Sequence, residues 1–468
     1  MNAVFLPILI PLVAIMLLFF FRSNRFSHAI IILGSSLLLV SSLFLLWKIN
    51  RVGVLSLYMG AWEAPYGITL VIDYFSVLML IITALVLLAV SIYKTRFIPP
   101  RASGNRFSIF FFALAMGVNG AFIAGDVFNL FVWFELILIS SFVLITYCKE
   151  QIQYHAGIKY LGMNLLGSLF FLAGIGLMYG KTGTLNMAHL AEILSENGFP
   201  PGLNTSATLI FLAFGIKSAV FPLFFWLPAS YHTPNITITA LFAGLLTKVG
   251  VYAMIRFFTL IFTQDQALWH TIFLVVAGLT MLYGGMAATT QYKLQRILSF
   301  HIISQIGYMI MGLGIFTPLA IAGSIYFMMH NMIAKTNTFL VAGMINKLRG
   351  TYDLKSIGGL YKEDPLLAVL FIIPAFALAG IPPISGFFAK FILIKAGLEA
   401  GQYLISAVAL LTGLLTLYSM IKIWNEAFLK KQPQDEELSD GKQPLTFIDY
   451  LPSLILGAVS ILMGIFAN

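Results

Sequence analysis

Fourteen apolar runs follow one another along the chain, at about residues 3–21, 28–47, 70–92, 107–124, 128–147, 158–179, 205–227, 236–262, 269–286, 297–316, 319–342, 366–394, 403–424 and 447–466. About 20 apolar residues in helical form cross the roughly 30 Å hydrocarbon core of a bilayer. Within that core, backbone polar groups must be satisfied internally, which a helix does within its own segment. The runs therefore predict an all-α polytopic membrane protein with about 14 transmembrane helices. Composition agrees: 60% of residues are hydrophobic and 10% charged, against about 25% charged in soluble domains. The longest polar stretch, roughly residues 425–446, is too short for a soluble domain. One cysteine, Cys148, excludes a disulfide framework and a Cys-ligated metal cluster. The opening MNAVFLPILIPLVAIMLLFFFRSNR lacks a basic region ahead of its apolar run and a small-residue cleavage site, so it reads as a retained first helix.

Positive charge is distributed by side. With the N-terminus outside, the cytoplasmic connectors hold Arg22, Arg25, Lys94, Arg96, Arg101, Arg106, Lys149, Lys159, Lys293, Arg296, Lys347, Arg349, Lys355, Lys362, Lys422, Lys430, Lys431 and Lys442. The outer side holds only Lys48, Arg51, Lys181, Arg256 and Lys395. This positive-inside bias places both termini outside. The net charge of +9 is thus a record of topology and not a nucleic-acid footprint.

Four lysines remain, all inside apolar runs: Lys217, Lys248, Lys335 and Lys390. Of these, Lys390 is near enough to a span end for its ammonium to snorkel out. A fifth charge, Glu135, lies at least two helical turns inside GDVFNLFVWFELILISSFVLITY. Insertion scales put an ionised carboxylate near a helix centre at roughly +2.5 to +3.5 kcal/mol. Intramembrane acids point by default to function, although a structural carboxylate bonded to a neighbouring helix is the plain alternative. Opposite charges within about 4–6 Å keep each other ionised, and separating them favours the neutral forms. A Glu–Lys pair that opens and closes can therefore release and capture a proton, with Lys217 the candidate partner of Glu135. Lys248 and Lys335 would continue a line of protonatable groups, unless they only pack against carbonyls. His301 heads the polar stripe of HIISQIGY, with Ser304, Gln305 and Tyr308 on the same helical face. It suits a relay or an interior hydrogen bond equally. His330 and Lys335 lie about 140° apart around a regular helix and are not paired. Asp126 and Asp73 stand where spans begin, as helix caps or as pathway mouths.

Two runs are interrupted. The seventh holds Pro222 and Pro228 after Lys217; the twelfth holds Pro374 and the Pro382–Pro383 pair between Gly380 and Gly386. Proline removes a backbone donor and breaks a helix, and interrupted helices at corresponding places mark inverted-repeat transporters. Spans 7 and 12 are five apart, which predicts two inverted five-helix repeats. The expected divisions are residues 1–106 (helices 1–3), 107–262 (helices 4–8), 263–424 (helices 9–13) and 425–468 (polar connector and helix 14). No Rossmann glycine turn, Walker A, HExxH or GxSxG signature is present, so no nucleotide, metal or other cofactor is expected.

Taken together, GDVFNLFVWFE, FGIKSAVFPLFFWLP, ALFAGLLTKVGVY, LQRILSFHIISQIGYMIMG, MMHNMIAKTNTFL and LAGIPPISGFFAKF resemble the antiporter-like membrane subunits of complex I and the Mrp cation/proton antiporters. The resemblance covers roughly residues 70–425. KTNTFL, FNLFVWFE and the lack of a long lateral helix are most similar to the D subunits of Mrp antiporters. It implies fourteen helices, two inverted repeats and a proton path mapping onto Glu135, Lys217, Lys248 and Lys390, with His301 and Lys335 on a central hydrophilic axis. Asn331 stands where such D subunits often carry a second histidine. The implied function is that of a transporter subunit, not an enzyme. It would move H+ in a multisubunit Na+ or K+/proton antiporter of a bacterial or archaeal cell membrane, beside other membrane subunits. The alternative is a proton-pumping subunit of a complex I-like dehydrogenase or membrane-bound hydrogenase.

Overall fold

The computed structural model describes residues 3–21, 23–98, 104–433 and 444–467; Arg22, Arg101 and Lys442 of the charge count lie outside them. The helices are α1 (Leu6–Phe20), α2 (Asn24–Val52), α3 (Tyr74–Phe97), α4 (Asn105–Ile123), α5 (Val127–Ile145), α6 (Gln151–Thr182), α7 (Met187–Asn197), α8 (Leu203–Ser218), α9 (Trp226–Ser230) and α10 (Ile236–Leu260). They continue as α11 (Gln266–Thr290), α12 (Leu294–Ile315), α13 (Pro318–Arg349), α14 (Leu360–Glu363), α15 (Pro365–Ala379), α16 (Ser385–Glu399), α17 (Tyr403–Ile423, prolonged by a π-helical turn Trp424–Leu429) and α18 (Phe447–Ile465). Two strands, β1 (Leu55–Tyr58) and β2 (Thr69–Ile72), pair antiparallel with Leu55 opposite Ile72.

Eleven of these helices, among the described residues, are long and apolar enough to cross a bilayer. The other three expected spans differ for visible reasons. The seventh is split into α8 and α9, and the twelfth into α15 and α16. The eleventh, α13, carries His330, Asn331, Lys335 and Asn337 along its length. The chain is therefore an all-α polytopic membrane protein with its interruptions where Pro222 and Pro382–Pro383 fall. Both breaks contain a cis peptide, Phe221–Pro222 and Pro382–Pro383. Pro374 behaves otherwise: α15 runs straight through it. The third run also begins differently from expectation. Residues 69–72 form β2, and the helix starts only at Tyr74, where the Asp73 carboxylate accepts the Ser76 N–H at 2.9 Å.

The described chain divides into two compact units. The first contains α1, α2, the hairpin, most of α3, α4–α8 and residues 245–266. Glycine sets its close packing, as expected where helices associate without a hydrophobic drive from water. A side chain at Gly120 of α4 would meet the Trp133 indole of α5 at 2.3 Å, and one at Gly174 of α6 would meet Ile210 of α8 at 2.7 Å. Ser206 donates to the Gly174 carbonyl at 2.7 Å along the same seam. The hairpin is tied to the start of α5, since Gly125 N–H donates to Thr69 O at 2.9 Å and Asn186 Nδ2 to Thr69 Oγ1 at 3.0 Å.

The second unit contains residues 92–98, the first break with α9 and the start of α10, and α11–α18. Here a side chain at Gly284 of α11 would meet the Ser304 nitrogen of α12 at 2.4 Å. At one end α18 is pinned through buried Asp449, which accepts from Arg96 at 3.3 Å and Lys347 at 3.0 Å.

Candidate functional site

Glu135 is oriented by what its helix buries on the other side. Trp133 and Ile137, one turn apart, press into the glycine groove of α4 at Gly117 and Gly120, so Glu135 between them points away from α4. Its Oε1 is buried with no hydrogen-bond partner among the described residues. Lys217 occupies the last turn of α8, 6% exposed. Its ammonium donates to Ser168 Oγ of α6 at 3.1 Å and sits 4.9 Å from the centre of the Phe134 ring. Glu135 and Lys217 interact through space, yet the ammonium's hydrogen bond goes to the serine. Phe171 and Phe214, with centroids 4.9 Å apart, wall this site with Phe134.

Lys248 lies fully buried midway along α10. Two residues on, Gly250 lets α10 meet the end of α8: a side chain there would come within 2.4 Å of Ser218 Oγ and 3.0 Å of Ser218 N. Lys248, Tyr252 and Arg256 share one face of α10 at four-residue spacing. Arg256 pairs with Asp73, an arrangement that sequence reading missed because it joins residues 183 apart. Burial works to raise the Asp73 carboxyl, but the hydrogen bond and charge of Arg256 and the Ser76 cap hold it below the ordinary carboxylate value. Asp126 caps α5, accepting the Asn129 N–H at 2.8 Å, and burial holds its carboxyl above the ordinary value.

In the second unit, His301, Lys335 and Lys390 are all buried and interact electrostatically. Lys390 does not snorkel. Its ammonium donates to the Leu378 and Ala379 carbonyls, each at 2.9 Å, which are the last carbonyls of α15. A cation is stabilised at a helix C-terminus, where carbonyls are left over and the dipole is negative. Gly380, with φ +86°, leaves room for the Lys390 stem, which a side chain there would meet at 2.8 Å. The ammonium also lies 5.2 Å from the Tyr308 ring. Both ring nitrogens of His301, both amide atoms of Gln305 and Asn331, and Ser304 Oγ are buried without hydrogen-bond partners among the described residues. His330, which the sequence left aside, bonds Ser385 Oγ through Nδ1 at 2.8 Å, and Ser385 meets Ser460 at 2.9 Å. The angular separation of His330 from Lys335 holds, but the relevant partner of His330 comes from another helix. Lys94, expected in a connector, is instead a buried residue of α3.

Helices interrupted at two places, each with a buried lysine at its break, set this chain among polytopic membrane proteins with broken spans. The family described as NADH:quinone oxidoreductase/Mrp antiporter, transmembrane, matches residues 124–416, and the chain belongs to that family. A protein from Alkalihalophilus pseudofirmus, named as the D subunit of a Na(+)/H(+) antiporter, is 44% identical over 468 residues, covering 100% of this chain and 94% of that one. A chain of the Mrp complex from Dietzia sp. superposes with a TM-score of 0.92 at 30% identity, covering 99% of this chain and 95% of its own length. A chain of the membrane-bound sulfane sulfur reductase, an archaeal respiratory membrane complex, superposes with a TM-score of 0.90 at 25% identity, over 99% of this chain and 94% of that one.

Proposed function

We propose that this chain is the proton-translocating subunit of a multisubunit Na+ or K+/H+ antiporter, assembled with other membrane subunits in a bacterial or archaeal cell membrane with both termini outside. The observation that carries the reading is the arrangement at Lys217. Its ammonium is bonded to the neutral Ser168 hydroxyl while the Glu135 carboxylate stands within electrostatic reach. This is the open form of a two-position switch. Moving the ammonium to Glu135 favours the charged pair, and returning it to Ser168 favours loss of its proton. Residues 107–262 and 263–424 then act as two repeats, flanked by 1–106 and 425–468. Lys248 passes the charge on in the first repeat; Lys335, His301 and Lys390 do so in the second. Leaving a buried polar group without a hydrogen bond costs about 1–3 kcal/mol, and waters commonly serve such groups. A hydrated file at His301, Gln305 and Asn331 is the proposed conductor there. Among the described residues Glu135 is the one acid deep within a span, so the subunit moves protons and a neighbour handles Na+ or K+.

The likeness to a respiratory complex chain favours a second reading, in which the same module is driven by a redox partner. Cation-dependent proton flux in everted vesicles carrying the whole complex separates the two. Wild type is compared with Glu135→Ala and Lys217→Ala at equal assembled levels. Collapse of ΔpH on adding Na+ or K+ in wild type, and in neither variant, supports the antiporter and its switch. Flux that survives both changes sinks the switch. Acidification driven by an electron donor, with no cation response, establishes the redox reading instead.

A further inference from the structure

On α10, the face that carries Lys248 continues through Tyr252 to Arg256, eight residues and about 12 Å along the axis. Arg256 is fixed from several directions. Its Nη2 donates to the Asp73 carboxylate and its Nε to the Tyr252 hydroxyl at 3.0 Å. That hydroxyl in turn donates to the Phe122 carbonyl at 2.6 Å. The Phe75 and Tyr252 rings lie 5.1 and 5.2 Å from the guanidinium carbon. Asp73 is itself immobilised as the cap of α3, directly after the β-hairpin. About a quarter of each side chain, 25% for Arg256 and 24% for Asp73, is exposed, so the pair stands where the buried stripe reaches the surface.

A clamp between α3 and α10 needs only an ion pair. It does not need the cation on the Lys248 stripe, nor a tyrosine to hold it there. A guanidinium keeps its proton throughout, so it cannot relay one. Asp73 pairs with it from the α3 side, so the cationic end of a fixed ion pair lies on α10, on the hairpin side of Lys248, and fixed cations exclude protons and other cations from pores. We propose that Arg256 is a fixed-charge barrier that closes the hairpin side of the Lys248 site to protons and metal cations, with Asp73 and Tyr252 as its positioning residues. The inference rests on the reading that Lys248 carries protons.

The test measures passive proton leak in everted vesicles carrying the complete complex, as decay of an imposed ΔpH before Na+ or K+ is added. Arg256→Gln leaves the Asp73 carboxylate unbalanced at that end of the stripe and is expected to leak severalfold faster than wild type. Arg256→Lys keeps the charge and stays near wild type. The exchange Asp73→Arg with Arg256→Asp rebuilds the ion pair but takes the positive charge off α10, so it leaks like Arg256→Gln. This second variant decides the matter if Arg256→Gln fails to accumulate. A wild-type leak rate in the exchange variant, or equal leak in Arg256→Lys and Arg256→Gln, overturns the barrier and leaves a clamp. Cation-stimulated flux in the same vesicles is scored separately. Its absence in wild type would fault the antiporter reading, whereas normal flux without an Arg256-dependent leak faults only the barrier.

Discussion

Lys217 and Lys390 stand one at each broken span, Lys217 before its break and Lys390 after, and their charges are held by unlike means. Lys217 is held by side chains: the Ser168 hydroxyl, the Phe134 ring and the charge of Glu135. Lys390 is hydrogen-bonded to backbone, the two terminal carbonyls of α15, with the Tyr308 ring beside it. Side chains change rotamer on fast timescales, whereas a helix end moves only with its helix. On the proposed reading the first break switches by a rotamer change, while Lys390 exchanges its proton in place at the end of α15.

The breaks themselves give the harshest test of that contrast. A side chain at Gly386 would lie 1.7 Å from the Ala377 carbonyl, a backbone atom that cannot turn aside. Gly386→Val is expected to destabilise by more than the roughly 1–3 kcal/mol of ordinary overpacking, and to remove most of the assembled chain on a membrane blot. Gly250→Ala at the first break meets chiefly the Ser218 hydroxyl, which can rotate, and is expected to accumulate better. Gly162→Ala, with open space around it, is the control.

Next in size is coupling. Lys217→Ala leaves Glu135 without its cation, so adding Glu135→Gln should recover stability, with a coupling of about 0.5–3 kcal/mol in thermal unfolding of the detergent-solubilised protein. Lys390→Ala should lose about 1–2 kcal/mol from the α15 terminus, and Glu135→Gln should not restore it. Restoration would erase the distinction between the two sites. Ser168→Ala removes one hydrogen bond from the Lys217 ammonium, about 1.5–3 kcal/mol or tenfold and more in the switch equilibrium. Flux should change by that order, while the same change at Ser406, whose hydroxyl bonds the Gln402 carbonyl one turn back, should leave flux unaltered.

The smallest effect is that of pH on the first unit. Because the Asp73 pKa is lowered on folding, its contribution to stability is complete above the unfolded value, about 3.9, and fades as pH falls through the folded one. The gap in melting temperature between wild type and Asp73→Asn should narrow below about pH 4. A gap that is constant with pH would mean the carboxylate is not the group that matters.

The spans were legible because apolar runs of membrane length have few other solutions, and the breaks because proline announces itself. The buried lysines and Glu135 were legible by their desolvation cost. Their partners were not. Ser168 is an ordinary serine, and it matters only because Gly167 and Gly174 bring α6 against α8. The carbonyls that hold Lys390 belong to every residue type, so no sequence signal separates capping from snorkelling. His330–Ser385 and Asp73–Arg256 join distant helices, and periodicity within one helix says nothing about either. A reading of Lys248, Tyr252 and Arg256 as one stripe was available from spacing alone, but counting Arg256 among the outer charges hid it.

The salt bridges of Asp449 have a consequence for how the protein is made. The carboxylate that joins Arg96 and Lys347 lies 353 residues after Arg96 in the chain and 102 after Lys347. A ribosome therefore delivers both cations, at the ends of α3 and α13, well before it delivers the group that ties them to α18. Closure of that corner waits on synthesis of α18, so a chain stalled before it presents two basic helix ends to whatever surveys unfinished membrane proteins.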